Sequence, residues 1–94
     1  MLTVAYAVKI DVHFYSIAKE LAETASPSMR AAKQLVIPER STLEEALEIL
    51  FREMPMLARI RSSCLYAVGT NYAPMNTVLS DGDQVSMIPP MQGG

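Results

Sequence analysis

The sequence predicts an α+β fold: one mixed sheet, one main helix packed across it, and an extended C-terminal tail. Three observations carry that expectation. In "VKIDVHFY", Val8, Ile10, Val12 and Phe14 point one way while Lys9, Asp11, His13 and Tyr15 point the other. A period of two marks a strand with one face on a core. In "RSTLEEALEILFREMP", Leu43, Ala46, Leu47, Leu50 and Met54 form one apolar stripe at helical period. The remaining strand signals are too few for a sandwich, and the helix signals too few for a bundle.

Each element has its own signal. "SIAKELAETA" places Ile17, Ala18, Leu21 and Ala25 at helical spacing, a short helix after the first strand. "SPSMRAA" reads as a loop and "KQLVIP" as a short strand that Pro38 ends. Ser41 stands three positions before Glu44, the spacing of a capping box. Acids early and Arg52 late suit the helix dipole, and Pro55 stops the helix. "CLYAV" is a third strand, followed by a turn over 69–71. "YAPMNTVL" holds a bent or edge strand, because Pro74 interrupts it. "SDGD" is a turn centred on Asp-Gly, and "QVSMI" is the last strand. Residues 1–7 extend the first strand or form a loose extension.

The totals narrow the function classes. The chain has 94 residues, which points to one domain. Its expected division is a folded unit over 1–88 and a tail over 89–94. Half the residues are hydrophobic and 19% are charged, a globular composition. The core is small, so no roomy internal pocket is expected. A net charge of -2 argues against a nucleic-acid partner. Cys64 is the single cysteine, so there is no internal disulfide and no zinc spacing. That suits a reducing, cytoplasmic setting. "LTVAYAV" is too short to span a bilayer, no charged leader precedes it, and no membrane partner is expected.

The chain closes on "IPPMQGG". Pro89 and Pro90 fix φ and hold the tail's start extended. At about 3.1 Å per residue, residues 89–94 reach roughly 19 Å. Gly93 and Gly94 fit a channel too narrow for a Cβ. The Gly94 carboxylate is an anion at neutral pH and a poor electrophile. Conversion to an acyl-adenylate makes it reactive. Sulfide or a persulfide then gives a thiocarboxylate, and a lysine amine gives an isopeptide. Two closing glycines also arise by chance or in a disordered end, so Gly-Gly alone leaves an inert tail open.

"FYSIAKELAE", "STLEEALEIL" and "LSDGDQVSMIPPMQGG" together resemble the MoaD group of the MoaD/ThiS sulfur-carrier family, the small subunits of molybdopterin synthases. The resemblance runs from about Lys9 onward. It is most specific at Leu79, Asp81-Gly82-Asp83, Val85, Pro89-Pro90 and Gly93-Gly94, and the paired proline favours the molybdopterin members over the thiamine ones. It implies a ubiquitin-like β-grasp fold, with an extra short helix. It implies that an adenylyltransferase related to ubiquitin-activating enzymes uses ATP to adenylate Gly94, and that a sulfur donor protein turns it into a thiocarboxylate. The tail then enters the large synthase subunit, within a heterotetramer, and gives sulfur to the molybdopterin dithiolene. The chain is thus a sulfur-donating subunit rather than a self-contained catalyst, and it binds no cofactor itself. Gly93, Met91, Pro90, Pro89, Ile88, Tyr15 and Tyr72 fall on partner-binding positions. Lys19 matches a usual arginine facing the activating enzyme. Three features depart from the pattern: Gly69 where asparagine is common, Ile88 where phenylalanine is frequent, and a longer "ETASPSMRAA".

Other residues have plainer readings. Cys64 reads as a buried structural cysteine, since no second cysteine resolves a persulfide. His13 reads as a surface histidine on the strand's polar face. Met87 and Met91 flank the tail as an adaptable contact surface, while Met54 and Met56 fill the helix end. Arg59 and Arg61 read as a solvated face. Glu44, Glu45 and Glu48 serve capping and solubility rather than acid-base work. No nucleophile, base and orienter stand together. Two other readings remain: a related carrier or modifier (thiamine, tRNA thiolation, cysteine synthesis, lysine conjugation), and a β-grasp binding module without terminal chemistry.

Overall fold

The computed structural model describes residues 6–26 and 32–90. Its strands are β1 Ala7–Phe14, β2 Ala32–Pro38, β3 Leu65–Val68, β4 Asn71–Tyr72 and β5 Gln84–Ile88. Its helices are α1 Ile17–Ala25 and α2 Leu43–Glu53, and a 3-10 segment, Pro55–Ser63, joins α2 to β3. The sheet order is β2-β1-β5-β3-β4. β1 and β5 run parallel at its centre, and the other pairs are antiparallel. This is the β-grasp arrangement.

The alternation of β1 decides which face is covered. Val8, Ile10, Val12 and Phe14 are all buried. Their register sets Val12 beside Val85 and Phe14 beside Met87, with Ile10 beside Leu35 and Val8 beside Ile37. Three strands therefore present their apolar residues on one face. The α2 stripe of Leu43, Ala46, Leu47, Leu50 and Met54 is buried in the same core.

The start of α2 corrects the expected cap by one residue. Thr42, not Ser41, is the N-cap. Its hydroxyl accepts from the Glu45 amide at 3.2 Å, and Glu45 Oε1 accepts from the Thr42 amide at 2.9 Å. The sequence carries two overlapping frames, Ser41 to Glu44 and Thr42 to Glu45, that satisfy the same spacing. Tertiary contacts select between them. Ser41 is buried and donates its hydroxyl to the Pro38 carbonyl at 2.6 Å. The Leu43 amide donates to Thr77 O at 2.8 Å and the Glu44 amide to Met75 O at 3.0 Å. First-turn amides that the helix cannot satisfy are thus met by the 75–77 loop.

Pro55 ends α2 as expected, but it also opens a 3-10 segment that the sequence reading missed. Pro at the first turn of a helix costs nothing, because its missing N–H has no intrahelical partner. Leu57 from this segment is fully buried. Arg61 is half-buried rather than fully solvated: its guanidinium lies 5.3 Å from the Phe51 ring centroid, and its carbonyl accepts from Tyr66 Oη at 2.9 Å. Arg59 is exposed. Met54 fills the end of α2, whereas Met56 is exposed.

The stripe of α1 is also shifted. Ala18 and Ala22 are buried and Leu21 is half-buried, while Ile17 and Ala25 are exposed. Small residues let α1 lie close to β1 and the 3-10 segment, its two packing neighbours. No described helix is long and apolar enough to cross a membrane.

Candidate functional site: a groove on the open face of the sheet

The helices cover one face of the sheet. The other face presents the alternate residues of the same strands, and the register arranges them in rows. Tyr15 follows Phe14, the partner of Met87, so it stands beside Ile88, which in turn opposes Leu65. The next row runs Ala32, His13, Ser86, Ala67, Tyr72. Beyond it come Asp11 and Gln84, with the Gly69 amide donating to Gln84 O at 2.8 Å. The face is apolar at the end where β5 leads into the tail and polar at the other end.

At the apolar end lies a groove of about 360 Å³. Tyr15, Tyr72 and Ile88, three of the expected partner-binding residues, line it together with Ala67, Ser86, Gly69 and Thr70. Tyr15 is 48% exposed and Tyr72 69%. Such exposure of large apolar rings costs a free chain solubility without helping its core. The strand-to-helix turn sets Tyr15 at the groove mouth: Ser16 takes φ 55, and its carbonyl accepts from the Lys19 and Glu20 amides.

The structure places the other expected residues as follows. Pro89 is buried and Pro90 exposed at the foot of the tail. Met91, Gly93 and Gly94 lie outside the described residues, as do residues 1–5 of the N-terminal stretch and 27–31 of the expected loop. Lys19 is exposed on α1 and does not line the groove. Met87 is corrected from contact surface to core: it is fully buried, because period-two alternation turns it to the helix side while Ile88 faces the groove. His13 is corrected as well. It is half-buried, and its Nε2 has no hydrogen-bond partner among the described residues.

Sequence reasoning missed Leu65, which is 57% exposed and pairs with Ile88 across β3 and β5. The stretch "CLYAV" alternates, but five residues do not say which face meets the core. The departure at Gly69 has a backbone cause. Gly69 takes φ +64 in the β3–β4 hairpin. Asparagine is among the few other residues that tolerate this left-handed region.

Two perturbed groups lie away from the groove. Cys64 is half-buried and donates Sγ–H to the Ile60 carbonyl at 3.2 Å; burial pushes its thiol pKa up. A thiol held protonated is a poor nucleophile, which favours the structural role. Burial also holds the Tyr66 phenol well above the ordinary tyrosine range, with Cys64 adding to the rise and Arg61 opposing it. Among the described residues no His, Cys, Asp and Glu cluster is arranged to hold a metal.

Residues 12–94 match the ThiS family. The molybdopterin synthase sulfur carrier subunit of Arabidopsis thaliana is 30% identical over 88 residues, which are 94% of this chain and 85% of that protein. In fold, the chain is similar to small archaeal modifier protein 1 of Methanosarcina acetivorans, with a TM-score of 0.76, 17% identity, and coverage of 95% of this chain and 99% of that one. It is also similar to a chain of the complex of subunits 1 and 2 of the molybdopterin-converting factor of Helicobacter pylori, with a TM-score of 0.58, 24% identity, and coverage of 93% and 100%. Those two likenesses speak to the β-grasp fold. The family match goes further, because it begins within β1 and takes in every later element and the closing glycines: this chain belongs to the ThiS family of sulfur carriers, in which the MoaD group is counted.

Proposed function

We propose that this chain is the sulfur carrier of a molybdopterin synthase, with the Gly94 carboxyl as the carrying group. The observation that carries this reading is the family match through Gly93 and Gly94, the residues the chemistry needs. The carboxylate attacks ATP on an adenylyltransferase, giving the acyl-adenylate and pyrophosphate. A sulfur nucleophile from a donor protein displaces AMP. With sulfide the product is the thiocarboxylate directly. With a persulfide it is an acyl disulfide, which a second thiol cleaves to the thiocarboxylate. The large synthase subunit then takes the sulfur into the molybdopterin dithiolene.

The groove complements that chemistry. It begins at Ile88, beside the foot of the tail, and its exposed Tyr15 and Tyr72 offer rigid aromatic area of the kind that anchors interfaces. The chain itself supplies position, and its partners supply ATP binding and acid-base groups.

The test is intact mass. The protein, without a C-terminal tag, is incubated with the adenylyltransferase, ATP and a sulfur donor. The expected product is heavier by the exchange of one oxygen for sulfur, and it supports conversion of the pterin precursor by the large subunit. Deletion of Gly94 abolishes both results while leaving the circular dichroism unchanged. An unmodified mass overturns the proposal in favour of a binding module, and lysine conjugates in place of dithiolene product overturn it in favour of a modifier.

A further inference from the structure

Pro89 is the first residue past β5, and the backbone around it has no use for an amide there. Successive residues of β5 address opposite neighbours. The Asp11 amide of β1 donates to Asp83 O at 3.0 Å, whereas the Gly69 amide, on the β3 side, donates to Gln84 O at 2.8 Å. Residue 89 shares the parity of Asp83, so an amide there would point toward β1. The register sets Asp11 beside Gln84 and Phe14 beside Met87, which makes Tyr15 O the next acceptor on β1. That carbonyl is already used: it accepts from the Ala18 amide at 3.1 Å, in the first turn of α1. Proline brings no amide to it.

The ring is held as well. Val85, Met87 and Pro89 are buried, while Ser86 and Ile88 are half-buried and Pro90 is exposed, so the alternation of β5 carries one residue past the strand. Leu65 opposes Ile88, and the same register taken one step further sets Pro89 opposite Cys64, on the side the helices cover. An amide at 89 would have two outcomes. Pairing with Tyr15 O prolongs the strand and moves the point where the tail departs. Failing to pair leaves a donor without a partner at a buried position.

We infer that Pro89, and not Pro90, is the positioning residue of the tail: its buried ring and missing amide fix the point at which the chain leaves the sheet, so that an enzyme docked on the folded unit finds the Gly94 carboxylate within a set reach. The five residues that follow extend about 16 Å at most. This rests on the proposed function and names the residue that presents its carrying group. A root fixed in advance reduces the entropy lost when the carboxylate is brought in line with the α-phosphorus of ATP.

The full chain, Pro89→Ala, Pro90→Ala and Ser41→Ala are compared by ATP–pyrophosphate exchange on the adenylyltransferase at varied carrier concentration, with melting temperatures measured in parallel. In this exchange a Gly94 carboxylate oxygen attacks the α-phosphorus, pyrophosphate leaves, and the reverse step returns ATP. Pro89→Ala is expected to lower kcat about tenfold while KM for the carrier stays within about twofold, because the docked unit is unchanged and only the presentation of the carboxylate suffers. A loss of folded carrier alone does the opposite, raising the apparent KM at constant kcat. Ser41→Ala is the control for that loss. It removes the buried hydrogen bond to the Pro38 carbonyl, where Pro38 pairs with Ala7 at the far end of β1, and is expected to lower the melting temperature and keep kcat. Pro90→Ala is expected to lose less of kcat than Pro89→Ala, since the Pro90 ring is exposed. An unchanged kcat in Pro89→Ala, a Pro89→Ala chain that does not fold, or an equal loss in Pro90→Ala overturns the inference alone. Absence of exchange with the unaltered chain overturns the proposed function and the inference together.

Discussion

The two faces of one sheet have opposite characters, though they are built from alternate residues of the same strands. On the covered face, Ile10, Val12, Phe14, Leu35, Ile37, Val85 and Met87 are almost wholly removed from water. On the open face, Tyr15, Leu65 and Tyr72 keep roughly half or more of their surface exposed. The difference teaches that apolar residues in this protein do two separate jobs. One set stabilises the fold through burial. The other set contributes little to the fold and leaves apolar area exposed at the end of the sheet where β5 ends.

That contrast is breakable in order of expected effect. Phe14→Ala, on the covered face, is expected to cost about 3–5 kcal/mol by chemical denaturation, from lost transfer energy plus the cavity left behind. A loss below about 1 kcal/mol would mean the covered face is not the core. Leu65→Thr, on the open face, keeps strand propensity and should change stability by less than about 0.5 kcal/mol. Its expected effect is instead on docking of the large subunit, about tenfold or 1.4 kcal/mol, read by titration. The reverse pattern, unstable yet fully binding, would erase the distinction between the faces.

The smallest and sharpest comparison uses two tyrosines. Tyr66 is buried and donates to the Arg61 carbonyl, whereas Tyr72 is exposed in the groove. Tyr66→Phe should cost about 0.5–1.5 kcal/mol, the net worth of an internal hydrogen bond. Tyr72→Phe should cost the fold nothing measurable. The pH dependence separates them further. Burial raises the Tyr66 pKa in the folded state, so the fold favours the neutral phenol. That contribution is complete below the ordinary tyrosine pKa of 10.0 and is lost as pH climbs beyond it. Denaturation curves at increasing alkaline pH should therefore show a falling stability whose slope lessens in Tyr66→Phe. An identical slope in both proteins would place the phenol in water.

Much of this was legible in the linear pattern. The alternation from Val8 to Phe14 named the covered face of β1, and the stripe from Leu43 to Met54 named the buried side of α2, because each periodicity is a local geometric property. Asp81-Gly82-Asp83 announced its turn. Gly82 takes φ +88, Asp81 Oδ1 accepts from the Lys9 amide at 2.7 Å, and Asp83 Oδ2 accepts from the Ser80 amide at 2.8 Å. The closing residues carried the resemblance that led to the family, and Tyr15, Tyr72 and Ile88 came from it singly.

What the pattern left open needed contacts between distant segments. Two capping frames were equally good locally, and the loop over 75–77 selected Thr42. The 3-10 segment after Pro55 has no strong period of its own, and it is held by Leu57 in the core and Arg61 over Phe51. Met87 and Ile88 are neighbours in sequence with opposite fates, decided by which side of β5 the helices cover. The sequence by itself determined the two helices, most of the strands and the covered side of the longest strand. Only the tertiary structure decided that Tyr15, Leu65, Tyr72 and Ile88 share one patch, because strand register joins residues far apart in the chain and no local signal encodes it.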